Sequence, residues 1–385
     1  RYDGYEFKTY YHDSQDPFSL NHDYVWSLFV DRSGTLWAGT DGGGLSRYRA
    51  ESDNFISYGN NPKDPNSLDS DRVRVIFEDR QGSLWLGTDN GGLSRFDKAT
   101  GKTRKYLKET AGAGRETVLS IVEAGDGLIG FGTDGSGLGR LDVATGHIDW
   151  YRHEPTQAGT LSNNHVRALL YDRSGRLWIG TDEGGLNLWR PDTGDFKVYS
   201  ADPEHPGSLS DNRVRVLFED KQGVIWVGTD GGLNEWRPRV DGFVTYVHSD
   251  VDRASLSDDR ITAVFQDKGN VFWIGTYNGL NKRKFVSDAF VLYNDKPDGK
   301  LRIQGKVVTA LAKGPEGKIW VATYDGGLNL VDRFRGKVDT YFDGASSLAG
   351  PSGVRIMALL NDRRGSLWVG TRKRGLFKLD MASGH

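Results

Sequence analysis

A short phrase that recurs eight times is the feature of this sequence that most constrains its fold. The phrase is an aromatic residue, an apolar residue, Gly-Thr, a small polar turn and Gly-Leu, as in Trp85–Leu93, and Ala322 replaces the Gly of Gly-Thr in the seventh copy. Its Trp occurs at positions 37, 85, 178, 226, 273, 320 and 368, and Gly130 stands where the remaining Trp would be. Successive copies are 48, 45, 48, 48, 47, 47 and 48 residues apart. A near-constant period of this length, carried by strand-forming residues, is typical of a β-propeller with one blade per repeat.

One repeat, residues 72–106, contains four segments with the composition of β-strands. Segments 73–77 and 83–88 are rich in β-branched and aromatic residues, and a turn rich in polar residues and Gly follows each of them. Segments 93–97 and 103–106 complete the repeat. We therefore predict four antiparallel strands, A to D, in each blade, with the motif Trp packed between blades and the Gly of Gly-Thr leaving room for a neighbouring strand.

The frame of the repeat predicts how the ring closes. The first predicted D strand, residues 7–10, precedes any complete blade, and the last repeat stops after strand C at residues 376–379. We expect the N-terminal strand to complete the C-terminal blade, which removes free sheet edges. The predicted fold is all-β: one eight-bladed β-propeller domain of four-stranded antiparallel blades over residues 1–385. The predicted blades span approximately residues 20–60, 70–108, 114–153, 163–201, 211–249, 258–295, 304–343, and 351–385 together with 4–12.

Composition argues against several classes of protein. Lys and Arg number 50 against 52 Asp and Glu, so no global field attracts nucleic acid or an anionic membrane. Cys is absent, which excludes disulfides and thiolate metal sites. The eight His residues lack metal-ligand spacing, and Asp and Glu recur at equivalent turn positions. We therefore predict no cofactor, no metal, no catalytic residue, no nucleic-acid partner and no membrane insertion of this segment.

The loops of one propeller face are the expected place for a ligand. The A-to-B turns, such as residues 31–34 and 172–175, are short and repetitive, so we expect them to be structural. The D-to-A and B-to-C loops emerge on the opposite face and vary more between repeats. We therefore expect the ligand to bind on that loop face, near the mouth of the central channel.

Residues flanking the first apolar position of strand A predict a basic ring at this mouth. Guanidinium groups suit bidentate pairing with carboxylate or sulfate, which favours an acidic ligand. The residues before the apolar position are Tyr24, Arg72, His165, Arg213, Arg260 and Lys306, and those after it are Trp26, Arg74, Arg167, Arg215, Thr262 and Arg355. The alternative interpretation is structural pairing of these Arg residues with the Asp of the B-to-C loop. Those acidic residues are Asp41, Asp89, Asp134, Asp182 and Asp230.

Positions that break the repeat are further candidates for ligand binding. The loop Asp gives way to Tyr277, Tyr324 and Arg372 in blades six to eight, and Trp26 has no aromatic counterpart in other A strands. Aromatic rings with polar rims suit stacking on sugar faces. The alternative is that these rings fill space left by a shorter loop.

The phrase Ser208–Val214, followed by Phe218–Asp220, Gly223–Thr229 and Gly231–Asn234, resembles the two-component regulator propeller repeat. In that family such repeats form extracytoplasmic sensor modules, usually periplasmic, ahead of a membrane helix and a histidine kinase or diguanylate cyclase. The resemblance implies a non-enzymatic sensor domain of a bacterial receptor that binds an oligosaccharide or another small, acidic ligand. It also implies a signalling output domain as partner and a homodimer as working state. Eight predicted blades depart from the seven that are frequent in the family.

Two other functions stay open at this stage. One is a polysaccharide lyase or glycoside hydrolase, whose carboxylate pair the fold would assemble from distant blades. The other is a protein–protein interaction platform that docks a partner chain on its broad face.

Overall fold

Eight four-stranded antiparallel sheets form the blades of a β-propeller. The structure is a computed structural model, and it describes residues 8–107, 116–252, 254–267, 269–284, 290–293, 302–332, 335–342, 354–362 and 365–380. Within these ranges the only helical segment is a single 3₁₀ turn at Pro315–Gly317. The predicted all-β, eight-bladed fold is confirmed.

The strands follow the chain in the order A to D within each blade. Strand β1 covers Lys8–Tyr10. Blades 1 to 4 comprise β2 Val25–Val30, β3 Leu36–Thr40, β4 Leu45–Arg49, β5 Asn54–Tyr58; β6 Val73–Glu78, β7 Leu84–Thr88, β8 Gly92–Phe96, β9 Thr103–Lys105; β10 Val118–Glu123, β11 Leu128–Thr133, β12 Leu138–Asp142, β13 Ile148–Tyr151; β14 Val166–Tyr171, β15 Leu177–Thr181, β16 Leu186–Arg190 and β17 Asp195–Tyr199. Blades 5 to 8 comprise β18 Val214–Glu219, β19 Ile225–Thr229, β20 Leu233–Arg237, β21 Gly242–Tyr246; β22 Ile261–Gln266, β23 Val271–Thr276, β24 Gly279–Lys284, β25 Phe290–Tyr293; β26 Val308–Lys313, β27 Ile319–Thr323, β28 Gly327–Asp332, β29 Lys337–Tyr341; β30 Ile356–Asn361, β31 Ser366–Thr371 and β32 Leu376–Asp380.

The N-terminal strand closes the ring. Strand β1 pairs antiparallel with β32, so blade 8 has the order β1-β32-β31-β30. The first strands of successive blades contact one another, and the contact of β2 with β30 joins blade 1 to blade 8. The ring of Tyr10 stacks on Trp368 at a centroid distance of 5.9 Å. The predicted closure is confirmed, and the blade-8 sheet has no unpaired β32 edge.

Close packing between blades explains the Trp and Gly of the repeated phrase. The seven motif Trp side chains are at most 2% exposed. The glycine of Gly-Thr lies against the first strand of the next blade: a Cβ on Gly180 would lie 2.4 Å from Cγ1 of Val214, and one on Gly228 would lie 2.7 Å from Cγ2 of Ile261. A side chain at Gly180 or Gly228 would require the neighbouring strand to shift, whereas blade 7 carries Ala322 at the equivalent position.

A buried hydrogen bond ties most motif Trp side chains to the A-to-B turn of their own blade. The Asp six residues before the Trp accepts the indole N–H, and the same carboxylate also accepts backbone N–H groups of the turn, as Asp220 does from Gln222 and Val224. The indole donor and its acceptor are Trp37 with Asp31, Trp85 with Asp79, Trp178 with Asp172, Trp226 with Asp220, Trp273 with Asp267, and Trp368 with Asp362. These contacts give the A-to-B turns the structural role that their repetitive sequence predicts.

Candidate functional site

A β-bulge occurs at the start of the first strand of every blade. The ladder shifts between Val25 and Ser27 in blade 1, and an equivalent shift occurs in each of the other seven blades. The residue inside the bulge has no cross-strand partner, and bulges re-aim such side chains. The bulge residues are Trp26, Arg74, Leu119, Arg167, Arg215, Thr262, Thr309 and Met357.

Two further aligned positions complete the mouth on this loop face. The residue just before each first strand accepts a backbone hydrogen bond from the first residue of the B-to-C loop, as Arg72 does from Asp89 at 2.8 Å. The residues before the strands are Tyr24, Arg72, Thr117, His165, Arg213, Arg260, Val307 and Arg355. The first loop residues are Asp41, Asp89, Asp134, Asp182, Asp230, Tyr277, Tyr324 and Arg372. Each predicted site residue except Lys306 occupies one of these three aligned positions.

The register corrects two sequence-based placements. Arg355 precedes strand β30 and lies in the same position as Arg72, whereas we predicted it one step after the first apolar residue. Lys306 lies one residue before the aligned position, which Val307 occupies. Both blades offer two apolar residues at the start of strand A, so the sequence pattern alone does not distinguish the two registers.

In blades 2, 4 and 5 the bulge Arg pairs with the loop Asp of its own blade. Arg74 contacts Asp89 at 3.1 Å and Arg167 contacts Asp182 at 3.1 Å. The guanidinium of Arg215 binds both carboxylate oxygens of Asp230, with Nε–Oδ1 at 2.6 Å and Nη2–Oδ2 at 2.7 Å. The alternative of structural pairing describes these three Arg residues.

The residues before the strands reach back to the preceding blade. Their acidic partners belong to the B-to-C loop of that blade, so each pair links two neighbouring blades. The pairs are Arg72 with Asp41 at 3.3 Å, His165 with Asp134 at 2.8 Å, and Arg213 with Glu183 at 2.5 Å. Ion pairs and the His165–Asp134 contact therefore link blade 1 to blade 2, blade 3 to blade 4, and blade 4 to blade 5.

These contacts shift the pKa values of the carboxyl groups at the mouth. Burial of Asp230 favours its neutral form, but the hydrogen bond and charge of Arg215 outweigh burial and lower the pKa of this carboxyl. Burial likewise opposes the net lowering of the pKa of Asp89, which arises from Thr117 and Arg74. Both groups are therefore held as carboxylates that neutralise neighbouring Arg residues.

The sector of blades 7, 8 and 1 has a different arrangement, in which aromatic rings hold the arginines. Nη1 of Arg372 donates to the hydroxyl of Tyr324 at 2.6 Å, and the guanidinium of Arg355 lies 5.0 Å from the centre of the same ring. Arg372 also lies 5.7 Å from the centre of the Tyr24 ring. In the part of the chain that the structure describes, neither Arg355 nor Arg372 has a carboxylate within ion-pair distance.

Tyr24 and Trp26 continue this row toward blade 2. Their rings stack at a centroid distance of 5.1 Å and an interplanar angle of 20°. The guanidinium of Arg74 lies 4.1 Å from the centre of the Trp26 ring. The two rings therefore engage Arg side chains of neighbouring blades, which is a role that the sequence alone does not reveal.

Blade 6 lies at the other end of this sector. Arg260 lies 4.3 Å from the centre of the Tyr277 ring and contacts Asp258 at 3.4 Å. The bulge Thr262 donates to the backbone oxygen of Val308 at 2.6 Å, and Thr309 donates to that of Ile356 at 2.8 Å. Both Thr residues thus join the first strand of the next blade.

Several residues of the mouth were missed by the sequence analysis. Thr117 donates to Asp89, and Glu183 binds Arg213. Lys373 and Arg374 directly follow Arg372 in the B-to-C loop of blade 8 and are exposed. Aligning the eight B-to-C loops by charge would have identified the two basic residues, whereas the partners of Asp89 and Arg213 depend on the three-dimensional arrangement.

No group of three or more His, Cys, Asp or Glu side chains is placed to hold a metal ion in the residues that the structure describes. Over the same ranges, no helix has the length and apolar character needed to cross a bilayer.

Comparison with known sequences identifies the repeat. The model of the two component regulator propeller matches residues 19–42, 67–90, 160–183, 208–231, 255–278 and 350–373. Six of the eight blades carry two component regulator propeller repeats. The matches fall in blades 1, 2, 4, 5, 6 and 8 of this two component regulator propeller, so blades 3 and 7 are the divergent ones. No curated protein matches the chain.

Solved structures similar to this two component regulator propeller include two from B. thetaiotaomicron. The extracellular domain of BT3049 is 26% identical, and the match covers 99% of this chain and 54% of that one, with a TM-score of 0.46. The extracellular domain of BT4673 is 19% identical, with coverages of 98% and 59% and a TM-score of 0.44. The chain thus spans little more than half the length of these two structures. The C-terminal WD40 domain of Sif2 is 13% identical, with both coverages at 98% and a TM-score of 0.66, which supports the fold alone.

Proposed function

We propose that this two component regulator propeller is the ligand-binding domain of a bacterial sensor, and that it binds an acidic oligosaccharide or another small anion on its loop face. The observation that carries the proposal is the pair Arg355 and Arg372. These two guanidinium groups lie at the mouth, are oriented by Tyr324 and Tyr24, and have no carboxylate partner in the described ranges.

The ion pairing of other arginines at the mouth supports Arg355 and Arg372 as the location of the ligand site. A guanidinium that already binds a carboxylate, as Arg215 binds Asp230, has little capacity left for a ligand. Arg355 is exposed and Arg372 is half-buried, and neither guanidinium is paired with a carboxylate in the described ranges. A planar guanidinium held in a fixed orientation favours bidentate binding of a carboxylate or sulfate group.

The family supports the place of this module in a receptor. Two component regulator propeller repeats are typical of extracytoplasmic sensors, which is in keeping with a periplasmic position and with signalling to an output domain of the same receptor. A homodimer would let ligand binding change the spacing of two output domains. A non-enzymatic module needs only a ligand site and a rigid scaffold, and the mouth of a closed ring provides both.

Thermal-shift measurements with neutral and acidic oligosaccharides test the proposal. A saturating ligand at 100 times its dissociation constant should add about 2.7 kcal/mol to the free energy of unfolding. We expect acidic ligands to raise the melting temperature, and we expect no release of reducing ends or unsaturated sugars. Such products would instead identify a hydrolase or lyase, and binding of a partner chain without any ligand response would identify an interaction platform.

Arg372→Ala tests the position of the site. Removing this guanidinium should weaken binding of the acidic ligand by about 10- to 100-fold, the effect of about 1.5–3 kcal/mol expected for a charge-assisted hydrogen bond. The matched control is Arg215→Ala with Asp230→Ala, which removes a neutral pair from the same mouth. Titration calorimetry should show near-unchanged affinity for the control. An equal loss in both variants would place the ligand elsewhere.

A further inference from the structure

The B-to-C loop of blade 8 differs in charge from the other seven. Its three residues are Arg372, Lys373 and Arg374, and none is acidic. The corresponding loops of blades 1 to 5 and 7 each carry at least one acidic residue, and that of blade 6 is the neutral Tyr277-Asn278. Three positive charges thus cluster in the B-to-C loop of blade 8, one of eight equivalent loops.

The net charge of the whole chain conceals a strong asymmetry around the ring. Residues 255–385, which form blades 6 to 8, contain 21 Lys and Arg against 13 Asp and Glu, a net charge of +8. Residues 1–254 contain 29 Lys and Arg against 39 Asp and Glu, a net charge of −10. Arg355 and Arg372 therefore lie in a basic sector, and the ion-paired arginines of blades 2, 4 and 5 lie in an acidic sector.

Fixed contacts hold the blade-8 loop on the loop face. The backbone N–H of Arg372 donates to the oxygen of Arg355 at 2.9 Å, and that of Gly375 donates to the oxygen of Asp23 at 2.9 Å. The N–H of Arg374 donates to Oγ1 of Thr371 at 3.0 Å. The loop therefore lies between the starts of β30 and β2 with its three side chains anchored on ordered backbone.

Two acidic residues lie next to this basic group, and both already bind backbone. Oδ1 of Asp23 accepts the N–H of His12 at 2.7 Å. Oδ1 of Asp325 accepts the N–H of Lys306 at 2.9 Å, while the Lys306 side chain is exposed. Neither carboxylate forms an ion pair with a basic side chain of the described residues. The two carboxylates do not balance the positive charges of Lys306, Arg355 and the blade-8 loop.

We infer that Lys306, Arg355 and the blade-8 loop form a cationic arc that binds a polyanionic polysaccharide, one bearing sulfate or carboxylate on successive sugars. The inference rests on the proposed function and specifies its ligand class. A monoanion would engage Arg355 and Arg372 and leave Lys306, Lys373 and Arg374 unpaired. A chain with a repeating charge matches cations that are spread along blades 7 and 8, and it releases several counterions when it binds.

The aromatic residues of the arc favour a polysaccharide over a nucleic acid. Single-stranded nucleic acid is bound by stacking of its bases on exposed aromatic rings. Here the ring of Tyr24 contacts Trp26 and Arg372, and Tyr324 contacts Arg355 and Arg372. The rings therefore orient the guanidinium groups of Arg355 and Arg372, and these groups are the ones available to bind the ligand.

Binding of dextran sulfate, with uncharged dextran as comparison, tests the inference. We expect binding of the sulfated chain only, with an affinity that falls as salt rises from 50 to 300 mM. The variant Lys373→Gln with Arg374→Gln should weaken binding about tenfold and reduce the slope of log Kd against log salt by about one to two. The matched control is Lys102→Gln with Arg239→Gln, which removes the same two charges from exposed turn positions and should leave Kd and slope unchanged.

The outcomes separate this inference from the proposed function. If small acidic ligands stabilise the protein but dextran sulfate binds no better than dextran, or if both double variants weaken binding equally, the polyanion arc is wrong and the sensor site stands. If a single-stranded DNA oligomer binds as tightly as dextran sulfate at 150 mM salt, the arc is a general polyanion surface and the assignment to polysaccharide is overturned. If neither small ligands nor the polymer bind, both proposals fail.

Discussion

At the scale of single residues, the partner of an Arg side chain decides its role at the mouth. Arg215 and Arg372 both lie on the loop face, yet Arg215 binds both oxygens of Asp230 whereas Arg372 donates to the hydroxyl of Tyr324. The replacement of the loop Asp by Tyr at position 324 and by Arg at position 372 removes two carboxylates from the mouth. Because these carboxylates are absent, the guanidinium group of Arg372 is not held in an ion pair in the described ranges.

The pH dependence of the Asp230 contact provides a test at this scale. Because the folded protein lowers the pKa of Asp230, its carboxylate adds stability that is fully present above the ordinary Asp pKa of about 3.9 and is lost as the pH falls below that value. Urea unfolding should therefore show wild type more stable than Asp230→Asn at pH 7, and the difference should shrink at pH 3. A difference that stays constant from pH 7 to pH 3 would contradict this account.

At the scale of the blade, the two divergent repeats are those that lack the hydrogen bond between Asp and the indole. Ala124 and Gly314 replace the Asp in blades 3 and 7. Blade 3 has Gly130 in place of the Trp, whereas blade 7 keeps Trp320, whose buried Nε1 has no hydrogen-bond partner. Blades 3 and 7 are also those without a family match. The loss of this pair therefore marks where the repeat has diverged.

Two equivalent substitutions measure what this hydrogen bond contributes. Trp226→Phe removes ring volume and the bond to the buried Asp220, whereas Trp320→Phe removes similar volume and no bond. We expect Trp226→Phe to lower the free energy of unfolding by about 1.5–3 kcal/mol more than Trp320→Phe, the range for a bond to a charged group. Equal losses in chemical denaturation would show that packing alone explains the motif.

At the scale of the whole molecule, closure depends on three N-terminal residues. Tyr10 is 7% exposed, stacks on Trp368, and donates its hydroxyl to Asp53 of blade 1 at 2.5 Å. Tyr10 therefore connects the two ends of the ring, and its contacts involve blade 8 and blade 1 together.

Adjacent tyrosines provide a matched test of closure. Tyr10→Ala should lower the free energy of unfolding by about 3–5 kcal/mol, as for other large buried aromatic residues. Tyr11 is 61% exposed, so Tyr11→Ala should change stability by less than about 0.5 kcal/mol. Similar effects of the two variants in guanidinium unfolding would mean that β1 does not secure the ring.

The sequence by itself determined the number of blades, the four strands of each blade and the closure by the N-terminal strand, predicted at residues 7–10. It could do so because each repeat encodes the same local pattern of strand, turn and packing residue, and because the frame of that pattern is offset between the two chain ends. Its predicted strands agree with the structure to within one or two residues, as for β6 to β9.

Only the tertiary structure decided which residues of the mouth are free to bind a ligand. The sequence offered pairing of Arg74 with Asp89 only as an alternative to ligand binding, and it did not predict the contact of Arg213 with Glu183 across a blade boundary. Two apolar residues at the start of strand A in blades 7 and 8 left the register of Lys306 and Arg355 undetermined until the strands were paired. Ion pairing at this mouth depends on how neighbouring blades approach one another, whereas the repeat pattern reports only the packing within and between sheets.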